Sequence, residues 1–463
     1  MIKKITILAL SALFLMSCNN SSQQLSTVYF TQEISPASLQ RVFHQLDVKP
    51  SGRVAVKIST GEPGGHNFLN PQLIAPLVQE VNGTIVECNT AYGGGRSTTE
   101  LHLQAARDHG FCDIAPVEIM DAEGETRIPV RDTTYIKYDI VGAGLEKYDF
   151  MINLAHFKGH TMGGFGGVLK NASIGVASAN GKAYIHSTGQ AETVEGFHAM
   201  LDEKGGDWVA VTHSHDIFHE CMATAAAAVH DHIPCVYINV MNNLSVSCDC
   251  EANPAEPEMA NVGILASLDP VALDQACVDL VFHYPSTEDD NAAALIERIN
   301  SRHGIHTIEH AAAIGLGNRQ YNLVSIDGDD MLEHLNRDSL SLVVRHHGVE
   351  TTYTQHGVRD LYELVVNTGT LKGAAVADKV IGKGAAYLLV KGGARFVTTN
   401  TISKSALEVL QNAGVEVSYT DVVDHIVNHA GTDECPLEKR LKDVNDVEKA
   451  MKVIADFVLG KES

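Results

Sequence analysis

Six short runs rich in β-branched and apolar residues recur up to about residue 325: "RVAVKIS" from Arg53, "TIVEC" from Thr84, "DFMINLA" from Asp149, "WVAVTH" from Trp208, "CVYINVM" from Cys235 and "VGILAS" from Val262. Helical patterns lie between them. "STTELHLQAARDHG" places Ser97 and Glu100 as a capping box, and "DPVALDQACVDLV" has an Asp-Pro start. Strands that alternate with helices in this way pair in parallel, because parallel strands need a long crossover and a helix supplies it. The pattern restarts near "SIDGDDMLEHLNRDS", where "LSLVVRH" and "VETTYT" form a hairpin at "HG". Helix and strand patterns then alternate through "DLYELVVNTG", "GAAVA", "KVIGKGAAYLLVKGG", "RFVTTN" and "SKSALEVLQNAG". The expected fold class is α/β: a large, mainly parallel sheet domain over residues 50–328, then a smaller α/β domain with an antiparallel edge over 335–460.

The chain opens "MIKKITILALSALFLMSC", with two lysines, an apolar core too short to span a bilayer and a small residue before Cys18. That is the layout of an export signal. "LMSC" resembles a bacterial lipobox, which implies cleavage before Cys18, lipid on its thiol and new amino group, and a solvated tether at "NNSSQQ". Residues 1–17 are then the signal peptide and 18–49 the tether and entry segment. The expected address is the bacterial cell envelope, anchored to a membrane through Cys18, since no later apolar run approaches transmembrane length.

A formal charge of −23 argues against sequence-independent nucleic-acid binding, which needs clustered Lys and Arg to displace counterions. Of nine cysteines, eight remain after Cys18, too few to staple a chain this long. With 23 histidines, several of them clustered, metal binding becomes a specific expectation.

The segment "HFKGHTMGGFGGVLKN" follows the apolar run "DFMINLA". In an α/β sheet, ligands bind in the crevice beyond the carboxyl ends of the strands. Gly163, Gly164, Gly166 and Gly167 would let main-chain N–H groups approach a ligand closely, and Lys158 and Lys170 supply charge. His156 and His160 could ligate a metal or move protons, so His156, His160 and Lys170 are the catalytic candidates. No dinucleotide fingerprint accompanies these glycines.

Together with "VNGTIVECNTAYGGGRSTTELHLQAARDHGF", "GKAYIHS", "SCDCE" and "VGILASLDPVALDQACVDLV", the segment resembles the family called domain of unknown function 362, over roughly residues 50 to 325. Members of that family often carry a ferredoxin-type cysteine insertion. Here the corresponding stretch, "TGQAETVEGFHAMLDEKGGD", has no cysteine, and a cubane cluster needs four thiolates, so a ferredoxin-type iron–sulfur cluster is not supported. "HTMGGFGGVLK" is also similar to the cofactor segment of lactate racemase, in which a histidine binds nickel and a lysine tethers a pincer cofactor. "VAVKISTGEPGG" is likewise reminiscent of that protein. The glycine spacing differs by one, and the arginine-containing substrate motif is missing.

Two further clusters offer ligands. "THSHDIFHEC" places His213 and His215 on one side of an extended segment, with His219 and Cys221 a turn on; "SCDCE" offers Cys248 and Cys250. Thiolates with imidazoles suit a transition metal such as zinc, iron or copper, and loops after two strands can converge at one sheet edge. Cys248 and Cys250 equally suit a disulfide with each other, pairing with other cysteines, or free thiols. Glu62 and Arg96 are plausible loop groups, whereas Asp269 reads as an N-cap before Pro270.

"LKGAAVADKVIGKGAAYLLV", "TISKSALEVLQNAGVEVSYTDVVDHIVN" and "CPLEK" resemble domain of unknown function 1893 over roughly residues 335 to 455, which implies a cytidine-deaminase-like fold. A zinc deaminase needs a His or Cys ligand with a Glu at one helix start and paired cysteines at the next. The expected helix starts carry Asp378 with Lys379, and Ser403 with Lys404. Deamination is not implied; lysines at helix N-termini suit a small anionic ligand instead. His425 and His429, at i, i+4 spacing, and Cys435 are a further possible metal set.

Overall fold

The computed structural model describes residues 25–288, 290–337, 340–346, 349–355, 357–368, 371–428 and 431–460. The export segment, Cys18 and His429 lie outside them. The described chain divides into two compact units, one ending at Ser325 and the other beginning at Ile326. No described helix is long and apolar enough to cross a membrane.

In the larger unit the strands are β1 (Ser26–Thr31), β2 (Val54–Lys57), β3 (Thr84–Glu87), β4 (Val117–Ile119), β5 (Glu125–Ile128), β6 (Asp139–Gly142), β7 (Phe150–His156), β8 (Lys158–His160), β9 (Gly164–Gly166), β10 (Cys235–Met241), β11 (Gly263–Ser267) and β12 (Tyr321–Ser325). Eight of them form one sheet in the order β12-β1-β11-β10-β7-β2-β3-β4. Only β11 runs against the rest, pairing antiparallel with both β1 and β10. The central strand β7 is buried along nearly its whole length, which is why "FMINLAH" reads as a continuous apolar run rather than an alternating one. Its one polar interruption, Asn153, donates to Val168 O and accepts from Asn171 Nδ2, so no amide atom is wasted. The pairs β5–β6 and β8–β9 are separate two-stranded ribbons.

Several local expectations change. "WVAVTH" is a helical turn, Trp208–Thr212, because Asp207 caps it through the amides of Val209 (3.0 Å) and Ala210 (3.2 Å). The helix Thr99–Asp108 is capped by Thr98, not Ser97, whose hydroxyl donates to Gly94 O. Asp269 caps Pro270–Phe282 as expected, accepting from the amides of Val271 and Ala272.

The helix Val168–Val176 has no cap of its own in sequence. A residue far along the chain supplies one: Asp274 accepts from the amides of Val168 (2.9 Å) and Leu169 (3.0 Å) and from Asn239 Nδ2 (2.7 Å). Gly167 makes room for that carboxylate, since a Cβ there would come within 2.3 Å of Asp274 Oδ1. The helix packs against His215–His232, where the alanines between Ala223 and Ala228 allow close approach.

The smaller unit holds β13 (Leu342–His346), β14 (Val349–Tyr353), β15 (Ala375–Ile381), β16 (Phe396–Ser403) and β17 (Glu416–Val423), in the order β14-β13-β15-β16-β17. β13 pairs antiparallel with β14 and β15, and β15, β16 and β17 are parallel. The antiparallel hairpin edge matches the expectation. Both units are therefore α/β, the larger built on a mostly parallel sheet and the smaller on a mixed one.

One buried acid has no structural partner. Asp139 in β6 is 0% exposed, and neither carboxylate oxygen has a hydrogen-bond partner among the described residues. Burial pushes its pKa up to about 7, only partly offset by the Ile140 amide and Lys182. The folded state therefore holds this proton after the unfolded chain has released it. Stability is lost as pH rises from the unfolded pKa near 4 to about 7, by up to about 1.4 kcal/mol per unit. Asp139→Asn is expected to remove that loss: its melting-temperature advantage over wild type should open between about pH 4 and 7 and stay constant above. A pH-independent difference would contradict the assignment.

Candidate functional site

The parallel strands β2, β3, β7 and β10 deliver their carboxyl ends to one edge, and a cavity of about 530 Å³ opens there. Its floor is a buried charge network. Lys57, ending β2, places Nζ 2.9 Å from Glu87 Oε2 at the end of β3. Glu87 Oε1 accepts from the Thr60 amide (2.8 Å) and lies 3.5 Å from Arg96 Nη1, while Arg96 Nε is 3.0 Å from Glu62 Oε2. Burial alone would raise the Glu87 carboxyl, but Lys57, His102 and Arg96 hold it well below the usual range.

The glycine-rich segment is not an open loop. β8 and β9 form an antiparallel ribbon in which Lys158 pairs with Gly166 and His160 with Gly164. Gly159 lies flat against the main chain after β10: its amide donates to Ser245 O (2.8 Å), and a Cβ would meet Val246 O at 2.4 Å. That approach brings the segment "SCDCE" alongside the ribbon. Asp249 then fastens it, accepting from Lys158 Nζ (2.8 Å) and facing His156 Nδ1 (2.9 Å). Burial would raise the Asp249 carboxyl, but Lys158 and His156 outweigh it and hold the group well below the usual range. His156 Nε2 contacts Asn242 O at 2.6 Å, so both ring nitrogens are committed and His156 is a buried strut rather than a free base or ligand.

The two cysteines flanking Asp249 are joined as the disulfide Cys248–Cys250. Ligand atoms of His160, Cys248 and Cys250 all lie within 4.8 Å of one another, with His160 and Cys248 buried and Cys250 exposed. His160 Nδ1 accepts from the amides of Gly163 (2.8 Å) and Met162 (3.2 Å), leaving Nε2 as the remaining ligand atom. Burial, then Lys170 and His186, hold its pKa well below the ordinary histidine range. Lys170 lines the same cavity, and burial together with neighbouring Lys158 pushes its pKa down to about 7. Six cationic side chains line the cavity, from Lys57, Arg96, Lys158, Lys170, Lys182 and Arg302, against three acidic ones, from Glu87, Asp249 and Glu251.

His213 and His215 do not join this group. His213 ends the turn Trp208–Thr212 with Nδ1 near Thr188 Oγ1 (3.2 Å) and Gln190 Nε2 (3.1 Å). His215 begins the helix His215–His232 beside His303, and neither histidine lines the cavity. The helical turn that replaces the expected strand at "WVAVTH" is what carries them elsewhere. His219 is buried on Thr307 and Arg302 O, and Cys221 is a buried core thiol. Gly166 and Gly167 line the cavity; Gly163 and Gly164 do not.

In the smaller unit a cavity of about 740 Å³, walled largely by apolar side chains, includes Asp360, Asp378, Lys379, Lys383 and Cys435. Asp378 and Lys379 do not start a helix. β15 continues through Ile381 because Val380 and Ile381 pair with Thr401 and Ile402 of β16, and the helix Lys383–Gly392 begins only after Gly382. Burial, with Asp360 nearby, pushes the Asp378 carboxyl up to about 7. Ser403 acts as an N-cap for Ala406 N (3.3 Å), and Lys404 forms an exposed pair with Asp424 (2.6 Å); neither lines the cavity. His425 is exposed and lies past the end of β17, not on a helix.

Residues 54–279 match the family model of Domain of unknown function (DUF362). Residues 330–458 match that of Domain of unknown function (DUF1893). Among solved structures, a DUF1893 family protein from Thermotoga maritima is 28% identical over 29% of this chain and 88% of its own, with a TM-score of 0.26. The lactate racemase apoprotein from Thermoanaerobacterium thermosaccharolyticum is 12% identical over 55% of this chain and 57% of its own, with a TM-score of 0.33. A second protein from Thermotoga maritima is 13% identical over 52% and 57%, with a TM-score of 0.34. No curated protein matches the chain.

The segment that matches the DUF362 model contains site residues that the sequence alone did not single out. Lys57 and Glu87 end adjacent apolar strands, and Lys182 and His186 stand at i, i+4 in "GKAYIHS"; a charge terminating each of two β-branched runs was the available signal. Arg302, donating from Nε to Thr161 O (2.7 Å), comes from beyond the matched segment and carried no signal. Lys158→Met would leave the buried Asp249 carboxylate with only His156. It is expected to cost about 3–5 kcal/mol in a denaturant titration, with most of it recovered in Lys158→Met/Asp249→Asn. An equal loss in both variants would contradict the clamp.

Proposed function

We propose that the larger unit is an enzyme domain that draws an anionic small molecule into its cationic cavity and, once Cys248 and Cys250 are reduced, holds a soft transition metal or metal-containing cofactor on His160, Cys248 and Cys250. The observation that carries this reading is the convergence of those three ligand atoms within 4.8 Å on one wall of the cavity. Two thiolates and an imidazole are a donor set for zinc, nickel, iron or copper rather than for magnesium or calcium. The set fits such an ion only in the reduced state, since the disulfide leaves His160 as its single ready donor.

A bound metal would supply Lewis-acid or redox chemistry, in keeping with a redox or isomerising reaction. The chain's own part is positional. Asp249, anchored by Lys158 and His156, fixes the segment bearing both cysteines, and the Met162 and Gly163 amides fix the imidazole of His160. Because Nδ1 accepts those amides, the neutral ring carries its proton on Nε2. Metal entry therefore displaces that proton and two thiol protons, and binding should tighten as pH rises. The whole protein is proposed to be lipid-anchored through Cys18 in the bacterial envelope, with the smaller unit taking a small ligand into its largely apolar cavity.

The disulfide favours a second reading, in which an oxidising envelope keeps Cys248 and Cys250 joined and the protein is a non-catalytic anion-binding or accessory lipoprotein. Elemental analysis of untagged protein, purified reduced and oxidised, separates the two. The first reading expects about one metal per chain in reduced protein, tightening with pH and lost in Cys248→Ser/Cys250→Ser. Metal-free reduced protein after reconstitution would leave the second reading standing.

A further inference from the structure

We propose that Lys170 is an imine-forming residue, whose amine captures the carbonyl carbon of a small keto or aldehyde compound that also carries a carboxylate or phosphate.

The other lysines of the cavity are committed. Lys57 is bound to Glu87 and donates to Asn171 Oδ1 (3.2 Å), Lys158 is bound to Asp249, and Lys182 donates to Ala177 O (2.6 Å). Lys170, in the first turn of Val168–Val176, lines the same cavity, and its amine has no hydrogen-bond or ion-pair partner among the described residues. It runs beside Lys158 over Gly166, where a Cβ would stand 3.4 Å from Lys170 Cδ and 3.6 Å from Lys158 Cε. The helix N-terminus beneath it is already occupied by Asp274, so the main chain there does not compete for the ligand's anionic group.

A half-buried ammonium lining a cavity beside a second cation gives up its proton at lower pH, and a lysine so placed is a carbonyl nucleophile near neutrality. Most of the groups acting on Lys170 push its pKa down. Burial, Lys158, Arg96 and Lys57 favour the free amine, with Asp249 opposing, and the outcome is about 7. Lys158 thus both lowers the basicity of its neighbour and adds to the cationic excess that draws the ligand's carboxylate or phosphate. The step balances without an oxidant: the amine lone pair attacks the carbonyl carbon, a C=N bond replaces C=O, and the oxygen leaves as water with both amine hydrogens.

This rests on the anionic-ligand half of the proposed function and needs no metal, so it can be tested on oxidised protein. Full-length mature protein would be incubated with glyoxylate, or with propanal as a neutral control, in the presence of cyanoborohydride, and adducts mapped by peptide mass spectrometry across pH. The expected result is one dominant adduct on Lys170, formed at least tenfold faster than on exposed lysines. It should have half-maximal rate near pH 7, prefer glyoxylate to propanal, and be absent in Lys170→Arg. Adducts spread over surface lysines, with Lys170 no faster than the rest, would overturn the assignment. That comparison is made within the wild-type protein and holds even if the variant fails to fold. A fast Lys170 adduct in protein that binds no metal would retain this inference while removing the metal half of the functional reading.

Discussion

Asp249 is the residue on which the site is hung. A carboxylate so buried survives only if positive charge and hydrogen-bond donors accompany it, and Lys158 on the ribbon and His156 at the end of β7 meet that requirement. The clamp ties the loop after β10 to β7 and β8, elements about ninety residues earlier in the chain. Because Asp249 lies between Cys248 and Cys250, fixing its carboxylate also fixes the two sulfurs beside His160. Gly159 is the steric half of the same constraint, since only a residue without a Cβ lets the ribbon lie against Val246.

Once that wall is in place, the chemistry follows from charge and redox state. The chain is strongly acidic, yet its cavity collects six basic side chains against three acidic ones, and the proposed function takes this excess as what draws a small anion. The disulfide and the dithiol present that anion with different surroundings: in one the sulfurs are bound to each other, in the other they are free to become thiolates beside a neutral imidazole. The proposed function thus links metal occupancy to the redox state of the envelope, while Lys170 remains available in either state.

The α/β class was legible because parallel strands buried on both faces leave continuous apolar runs separated by helices, and five of the six runs read as strands in the larger unit are strands. The sixth failed where a local side chain outweighed β propensity: Asp207 caps two amides and turns "WVAVT" into helix. Site residues divided along a similar line. Lys158, His160, Lys170, Cys248 and Cys250 stood in short polar clusters within otherwise apolar surroundings and all line the cavity. His213 and His215 had equally suggestive spacing but sit on a different surface, because spacing says nothing about which way a following helix carries its first turn. Asp378 and Lys379 were displaced by a strand that outran its apolar pattern: pairing of Val380 and Ile381 with β16 extends β15 past them. Asp274 as a remote cap could not be read at all, since its partners lie about a hundred residues away.

The central claim is that reduction turns the Cys248–Cys250 wall into a three-donor metal site. X-ray absorption at the zinc edge of reduced, zinc-loaded protein tests it most directly. The account predicts two sulfur ligands at about 2.3 Å and at least one imidazole nitrogen at about 2.0–2.1 Å, with the sulfur shell lost on oxidation. A shell of oxygen and nitrogen alone would contradict it, because zinc would then be bound somewhere other than the cysteines that the Asp249 clamp holds in place.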